Sequence, residues 1–531
     1  MPTAITTDDE PKLSTALKSS ERKYWLEAIK EEFETLEKNG TWKVCTNVPR
    51  DKKILPSGII LKLKRNSAGD PARFKGRLVA RGNFQTNIIC YLELYAPVAC
   101  IELVRIIITV AVAMGWKIHQ VDVKGAFLHA FLPDGEEIYM KLPTVPGLDS
   151  LSGKVVKLIK SLYGLRQAPK LWYGHFFDAV SKLGFKRAHA SDCLFTWATP
   201  YGKIFLLVYV DDLLIVGSDK AIKHTKKTLA KVFTITDLGE CKHFLGIKIN
   251  STPNGTYLTQ SAYTERLIEK IGMTDAKPTR TPLPLSHPLY ETKEPLTEGE
   301  ANAMHNVPYR EVLGSLFYLA TRTRPDIATA VSMLGKFQSE PALRHWKTMK
   351  NVVRYLKGST DYGLFIPNTA KTIDCMGYTD ADWARDLSHR RSRTGFVLFI
   401  NSVPVLWTSK LQTSTSESTA EAEFTALASF IREVRWTRDT LTEIGFVQPT
   451  PTKVLQDNLG SIAWTDSVHG IRKVKHISLK YHTVRDAVQD RTVEVGYEES
   501  AKNRADSFTK ALVGEQFLLH RKWLNIKKEK C

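Results

Sequence analysis

Two apolar runs, Ile204-Phe-Leu-Leu-Val-Tyr-Val210 and Leu213-Leu-Ile-Val216, are separated only by Asp211-Asp212. Short apolar runs of this length, rich in β-branched and aromatic residues, read as buried strands. Their spacing predicts a buried β-hairpin with a carboxylate pair at its tip. An isolated Asp-Asp is an ordinary polar turn. Between two core strands, however, carboxylates are costly unless a cation or hydrogen bonds compensate them. Neighbouring strand residues point to opposite faces. One direct metal ligand is therefore expected from the pair, and Asp211 is the choice.

A second acid stands upstream in Ile118-His-Gln-Val-Asp122-Val-Lys-Gly-Ala-Phe127, among alternating apolar positions. Alone, Asp122 would read as a strand-end turn residue. Asp122 and Asp211 together make a hard-oxygen site suited to Mg²⁺. Such ions activate a hydroxyl nucleophile and neutralise a leaving pyrophosphate.

The C-terminal part carries four separated acids. Asp380 closes an alternating strand, 373–379, and the runs 396–400 and 403–407 read as a hairpin around Asn401-Ser402. A helix is predicted from about Ser418, with Phe424, Leu427, Ile431 and Val434 as its apolar stripe. Glu423 heads that stripe and is expected to face inward, whereas Glu421 is expected on the solvated side. Asp457 follows the short strand Val454-Leu-Gln456, and Asp506 is expected in the first turn of a helix. Helix capping alone would account for Asp506.

Composition narrows the partners. The net charge is +19 across 531 residues, which favours a polyanion such as nucleic acid. The longest charge-free apolar run, Ile106 to Met114, is too short to span a bilayer, and no secretory signal opens the chain. The 7 cysteines are scattered without a Cys-x-x-Cys pair, which argues against a disulfide framework or zinc ribbon and for a reducing compartment. The length suggests about three or four domains. The expected division is a loose leader 1–20, a mixed block 21–275, a proline-rich linker 276–308, a helical block 309–372, an α/β block 373–515 and a basic tail 516–531.

Several segments carry a family resemblance. Gln120-Val-Asp-Val-Lys-Gly-Ala-Phe-Leu-His129, Ser161-Leu-Tyr-Gly-Leu-Arg-Gln-Ala-Pro169 and Leu207-Val-Tyr-Val-Asp-Asp212 resemble the reverse transcriptase of copia-type LTR retrotransposons. Lys75-Gly-Arg-Leu-Val-Ala-Arg-Gly82, Asp237-Leu-Gly239 and Phe244-Leu-Gly-Ile247 fit the same pattern. Tyr378-Thr-Asp-Ala-Asp-Trp383 and Ser418-Thr-Ala-Glu-Ala-Glu-Phe424 are similar to the copia-type ribonuclease H. The resemblance runs from about residue 20 to 512. It implies an α+β chain: a right-hand polymerase of fingers, palm and thumb, then a connection and an α/β ribonuclease H-like domain.

The same resemblance implies roles. Asp122, Asp211 and Asp212 match the palm carboxylates. Phe127 matches the residue that stacks under the incoming sugar, although an ordinary core aromatic would look the same. Lys75, Arg77 and Arg81 match a basic fingers strand that contacts the triphosphate or template, with a solvated edge strand as the competing reading. Phe244, Leu245 and Gly246 match the primer-gripping hairpin. Asp380, Glu423, Asp457 and Asp506 match the metal ligands of the nuclease, and Asp382 is expected to be structural. Each centre would take two Mg²⁺ about 4 Å apart, with Mn²⁺ as the alternative ion. The implied partners are RNA template, DNA primer, RNA–DNA hybrid and deoxynucleoside triphosphates, with no membrane. The implied location is intracellular, in a cytoplasmic particle or the nucleus. The basic stretch Arg472 to Arg485, with His476 and His482, suits either a hybrid-gripping surface or an amphipathic helix.

The expected activity is thus RNA-directed DNA polymerase with ribonuclease H. The alternatives are a decayed or domesticated copy that only binds nucleic acid, and a nuclease whose polymerase half is a scaffold. Two segments depart from the family pattern: Asn87 to Tyr95, and Glu498-Glu499-Ser500.

Overall fold

The computed structural model describes residues 9–65, 71–85, 94–284, 286–287, 289, 296–369, 372–466 and 478–529. His476 and most of the departing segment at 87–95 lie outside these residues.

The apolar runs build a six-stranded antiparallel sheet. Its order is Ile235–Glu240, Lys117–Val123, Asp212–Gly217, Gly202–Tyr209, Leu194–Thr199, Lys186–Arg187. The two central strands are buried along almost their whole length, because helices cover both faces. Ile101–Ala113 lies on one side and Ala168–Lys182 on the other. The hairpin turn is one residue earlier than its sequence suggests. Tyr209 pairs with Asp212, so Val210 and Asp211 form the two-residue tip and Asp212 opens the next strand. In a further hairpin Thr252 pairs with Gly255, which makes Pro253 and Asn254 its turn.

In front of this sheet, Ser57–Arg65 pairs with Pro71–Ala80 as a two-stranded ribbon backed by the helix Arg22–Lys38. Beyond it, a helical layer (Tyr309–Arg322, Ala328–Gly335, Leu343–Lys357) packs around its own apolar cluster. The proline-rich stretch docks on this layer where it is described. Leu283 and Leu289 are buried in the cluster, and Arg354 and Asn351 donate to the carbonyls of Lys277 and Pro282.

A further five-stranded sheet has the order Val403–Leu411, Arg393–Ile400, Cys375–Asp382, Thr452–Gln456, Val493–Tyr497. The first three strands are an antiparallel meander, and the last two join in parallel. Parallel neighbours need crossovers. The helices Thr419–Glu443 and Ser478–Gln489 supply them. The C-terminal segment is no free basic tail. Gly514–Trp523 is helical, Ile526–Lys528 pairs with Tyr362–Pro367, Lys527 lies over the Phe365 ring, and Lys528 pairs with Asp361.

One apolar cluster runs from the six-stranded sheet into the five-stranded one. Arg105, 2% exposed, pins that junction. It donates to the carbonyls of Val405 at 2.7 Å, Thr321 at 2.6 Å and Arg322 at 3.1 Å, and its guanidinium stacks on Trp407 at 3.8 Å. No helix among the described residues is long and apolar enough to cross a membrane.

Candidate active sites

The first centre forms where the hairpin tip meets the end of the neighbouring strand. Asp212 lies directly opposite Asp122 in the sheet register, and Asp211 occupies the turn beside them. Burial raises the pKa of Asp122 first, and Asp211 adds to it. Asp212 is raised by the same two causes, while the Gln120 amide, donating at 3.2 Å, works the other way. Three acids that repel one another at a sheet end suit a cation.

The tip is held in a costly conformation. Val210 has φ 57°, a left-handed value that a β-branched residue rarely adopts. Such a residue costs about 1–3 kcal/mol and persists only when its surroundings fix it. Here the Trp172 indole donates to the Val210 carbonyl at 2.7 Å, and the Val123 amide donates to the Asp211 carbonyl at 2.9 Å. The turn that sets the Asp211 side chain is thus clamped by a helix and by the strand carrying Asp122.

Above the acids comes the basic ribbon. Lys75 and Arg77 both act electrostatically on Asp122, and burial lowers the pKa of Lys75. Arg77 lies 5.0 Å above the Tyr163 ring, and Phe127 packs edge-on to the same ring at 5.0 Å. Burial pushes the Tyr163 phenol up to about 12, against the pull of Arg77. Tyr163 therefore joins the cations, Phe127 and the acids. A close backbone approach allows this: Ala80 donates to the Tyr163 carbonyl at 2.8 Å, and a Cβ on Gly164 would meet the Ala80 carbonyl at 2.1 Å. Arg81 is exposed beyond the strand's end. Phe244 is only 1% exposed and is a core residue, so the 244–246 turn offers backbone and not that ring. The Tyr318 hydroxyl fixes this turn by donating to the Leu245 carbonyl at 3.0 Å.

In the second centre, Asp380 lies on the middle strand of the five-stranded sheet, Asp457 follows the parallel strand beside it, and Glu423 projects from the crossover helix. One carboxylate oxygen from each lies within 4.8 Å of the others. Glu423 is 6% exposed, and its Oε2 atom is buried without a hydrogen-bond partner. Burial, then Asp380 and Asp457, hold its pKa far above the usual carboxylate range. An orphaned buried oxygen facing two further carboxylates is what a divalent cation would satisfy. The donor set fits a hard ion such as Mg²⁺. Ser500 donates to Asp457 at 2.5 Å.

Asp506 lies in a 3-10 turn, Arg504–Phe508, and not in an α-helix. Its partner is Lys510, at 3.0 Å, and the same ammonium lies 3.7 Å from Asp380. Burial opposes the Lys510 charge, but Asp380 and Asp506 outweigh it and raise the pKa. Asp382, held by Arg385 at 3.0 Å, is pushed up to about 6, mainly by burial. Glu421 does not face solvent: it is 5% exposed and accepts from the Glu417 amide at 2.7 Å. As an acid in the first turn it reaches back to the chain just before the N-cap Ser418, a contact the apolar-stripe argument ignores. His482 is exposed, edge-on to Tyr481.

Residues 39–284 match the family model described as reverse transcriptase (RNA-dependent DNA polymerase). The chain is 36% identical over 520 residues to the retrovirus-related Pol polyprotein from transposon TNT 1-94 of Nicotiana tabacum, covering 97% of this chain and 39% of that protein. It is 33% identical to a putative transposon Ty5-1 protein of Saccharomyces cerevisiae, covering 59% of this chain and 100% of that one. The chain belongs to the reverse transcriptase family of copia-type Pol polyproteins. The Pol polyprotein from transposon RE2 of Arabidopsis thaliana is 34% identical over 96% of this chain and 34% of its own length. The copia-type chain thus spans between a third and two fifths of these longer Pol relatives.

Sequence reasoning named neither Tyr163, Trp172, Gln120 nor Lys510 as site residues. A signal existed for two of them: Gln120 and Tyr163 lie inside the segments 120–129 and 161–169 that carried the resemblance. Trp172 acts through its indole on a backbone carbonyl, which no side-chain motif reveals.

Proposed function

We propose that this chain is an RNA-directed DNA polymerase with ribonuclease H activity, carried by two separate carboxylate centres. The observation that carries the polymerase reading is the opposition of Asp122 and Asp212 beside the clamped Asp211 turn, under Lys75 and Arg77. Asp122 and Asp211 would hold divalent cations, Mg²⁺ foremost, with Asp212 steadied by Gln120. When bound, those ions supply Lewis-acid activation of a primer hydroxyl and charge neutralisation of the pyrophosphate. Lys75 and Arg77 bind triphosphate oxygens opposite the acids. Phe127, braced by Tyr163, would exclude a 2′-hydroxyl and favour deoxynucleotides. The 244–246 turn would guide the primer through its backbone.

The nuclease reading rests on the five-stranded sheet, in which an antiparallel meander turns parallel between the Asp380 and Asp457 strands. Ligand sites in α/β sheets collect at the carboxyl ends of strands. Asp380, Glu423 and Asp457 would hold metal there, with Asp506 beside them on Lys510, and position water for RNA hydrolysis. The substrates would be RNA template, DNA primer and RNA–DNA hybrid, and the domains follow the fingers, palm, thumb, connection and ribonuclease H order.

The test is extension of a labelled DNA primer on an RNA template. Extension with Mg²⁺ that stops on adding EDTA supports the reading, whereas a chain that binds primer–template without extending it would overturn the polymerase half.

A further inference from the structure

We propose that Lys510 is a built-in cation of the second centre, supplying charge in place of a second metal ion, so that the resting protein takes up a single divalent ion on Asp380, Glu423 and Asp457. The inference rests on the nuclease reading above and deepens it.

The four acids are not equivalent. Among the described residues, the set whose oxygens converge closely enough to share an ion is Asp380, Glu423 and Asp457. Asp506 is outside that set and holds the Lys510 ammonium at 3.0 Å. The pairing is built into the chain. Lys510 lies four residues after Asp506, and its amide donates to the Asp506 carbonyl at 3.0 Å, which returns the side chain onto the carboxylate. Thr509, between them, donates its hydroxyl to Asp380 Oδ2, the oxygen that Lys510 approaches at 3.7 Å. Asp380 therefore stands between the Lys510 ammonium on one side and the converging carboxylates on the other.

Charge balance gives the arrangement its purpose. Four carboxylates at one strand end repel strongly in a buried site. A divalent ion at the three-acid cluster offsets only part of that repulsion. Lys510 offsets one further unit of charge, and it does so without needing the near-octahedral oxygen shell that Mg²⁺ demands. The orphaned Glu423 Oε2 atom marks the metal side, and Asp506 marks the ammonium side. Lys510 is 30% exposed, so the ammonium is anchored by its partners and is not sealed in place.

The test counts ions. The full chain carrying Asp122→Asn and Asp211→Asn, which silences the first centre, is titrated with Mn²⁺ while free ion is followed by electron paramagnetic resonance. The parent is expected to bind one equivalent, Lys510→Met two, and the charge-conserving Lys510→Arg one. Adding Asp457→Asn to the parent should abolish the single equivalent. Two equivalents in the parent, or one in Lys510→Met, would overturn the proposal. No binding in the parent would instead overturn the metal-centre reading on which it rests. Circular dichroism of Lys510→Met checks that the fold is retained.

Discussion

At the scale of single residues, Val210 and Asp211 show how a site uses strain. A left-handed valine is tolerable only because the Trp172 indole and the Val123 amide take both carbonyls of the turn. Trp172→Phe keeps most of the buried ring and removes the donor. It should cost about 1–3 kcal/mol of stability, through an unsatisfied carbonyl and a small cavity. Primer extension should fall more than hybrid cleavage, because only the first centre leans on that turn. Equal loss of both activities would contradict the clamp. Asp382 makes a prediction of opposite character. Its folded pKa of about 6 lies above the ordinary 3.8, so ionising it opposes folding. Its favourable contribution is present at low pH and is lost as pH rises from about 4 to 6, by at most about 3 kcal/mol. Urea unfolding of Asp382→Asn in EDTA should therefore gain on the parent across that window, and a constant gap would refute it.

At the scale of elements, strands were more legible than turns. The apolar runs at 204–216 and 396–407 fixed their own pairing, because burial on both faces leaves a strand few alternative registers. The turns followed local backbone geometry instead. Asn401-Ser402 formed the expected two-residue tip, with both residues at positive φ. Asn254-Gly255, a dipeptide that commonly makes such a tip, does not make one here, because Gly255 pairs with Pro367 in the next strand and lies within the sheet. Glu423 was readable as an inward acid from helical period alone, whereas Glu421 was misplaced because it folds back onto the Glu417 amide ahead of the helix. The carboxylates of the first centre were readable in kind, but their convergence with Tyr163 depends on the Ala80–Gly164 approach, which sequence spacing does not encode. Gly164→Ala should break that approach through both positive φ and the 2.1 Å clash. Nucleotide affinity, read as KM in primer extension, should weaken by about tenfold or more, while hybrid cleavage is unaffected.

Across the whole molecule, the net charge of +19 acquires a layout. Lys75 and Arg77 face the first acids, and Lys510 is held inside the second centre. Some cations that looked free are engaged internally, as Lys527 and Lys528 are in the last strand. The two centres share one apolar cluster, with Arg105 serving three carbonyls at the junction. Arg105→Met would strip those carbonyls of their donor, the Val405 one in the core, costing about 3–5 kcal/mol. Thermal unfolding should then occur earlier and with less cooperativity, and a Tm unchanged within a degree or so would show that the junction is not structural.

The central claim is that two independent carboxylate centres perform two chemistries. The direct measurement compares Asp211→Asn and Asp457→Asn on one RNA–DNA substrate, scoring primer extension and RNA cleavage in the same reaction. Asp211→Asn should lose extension by about a hundredfold or more and keep cleavage, and Asp457→Asn should do the reverse. Extension surviving in Asp211→Asn, or cleavage surviving in Asp457→Asn, would contradict the account.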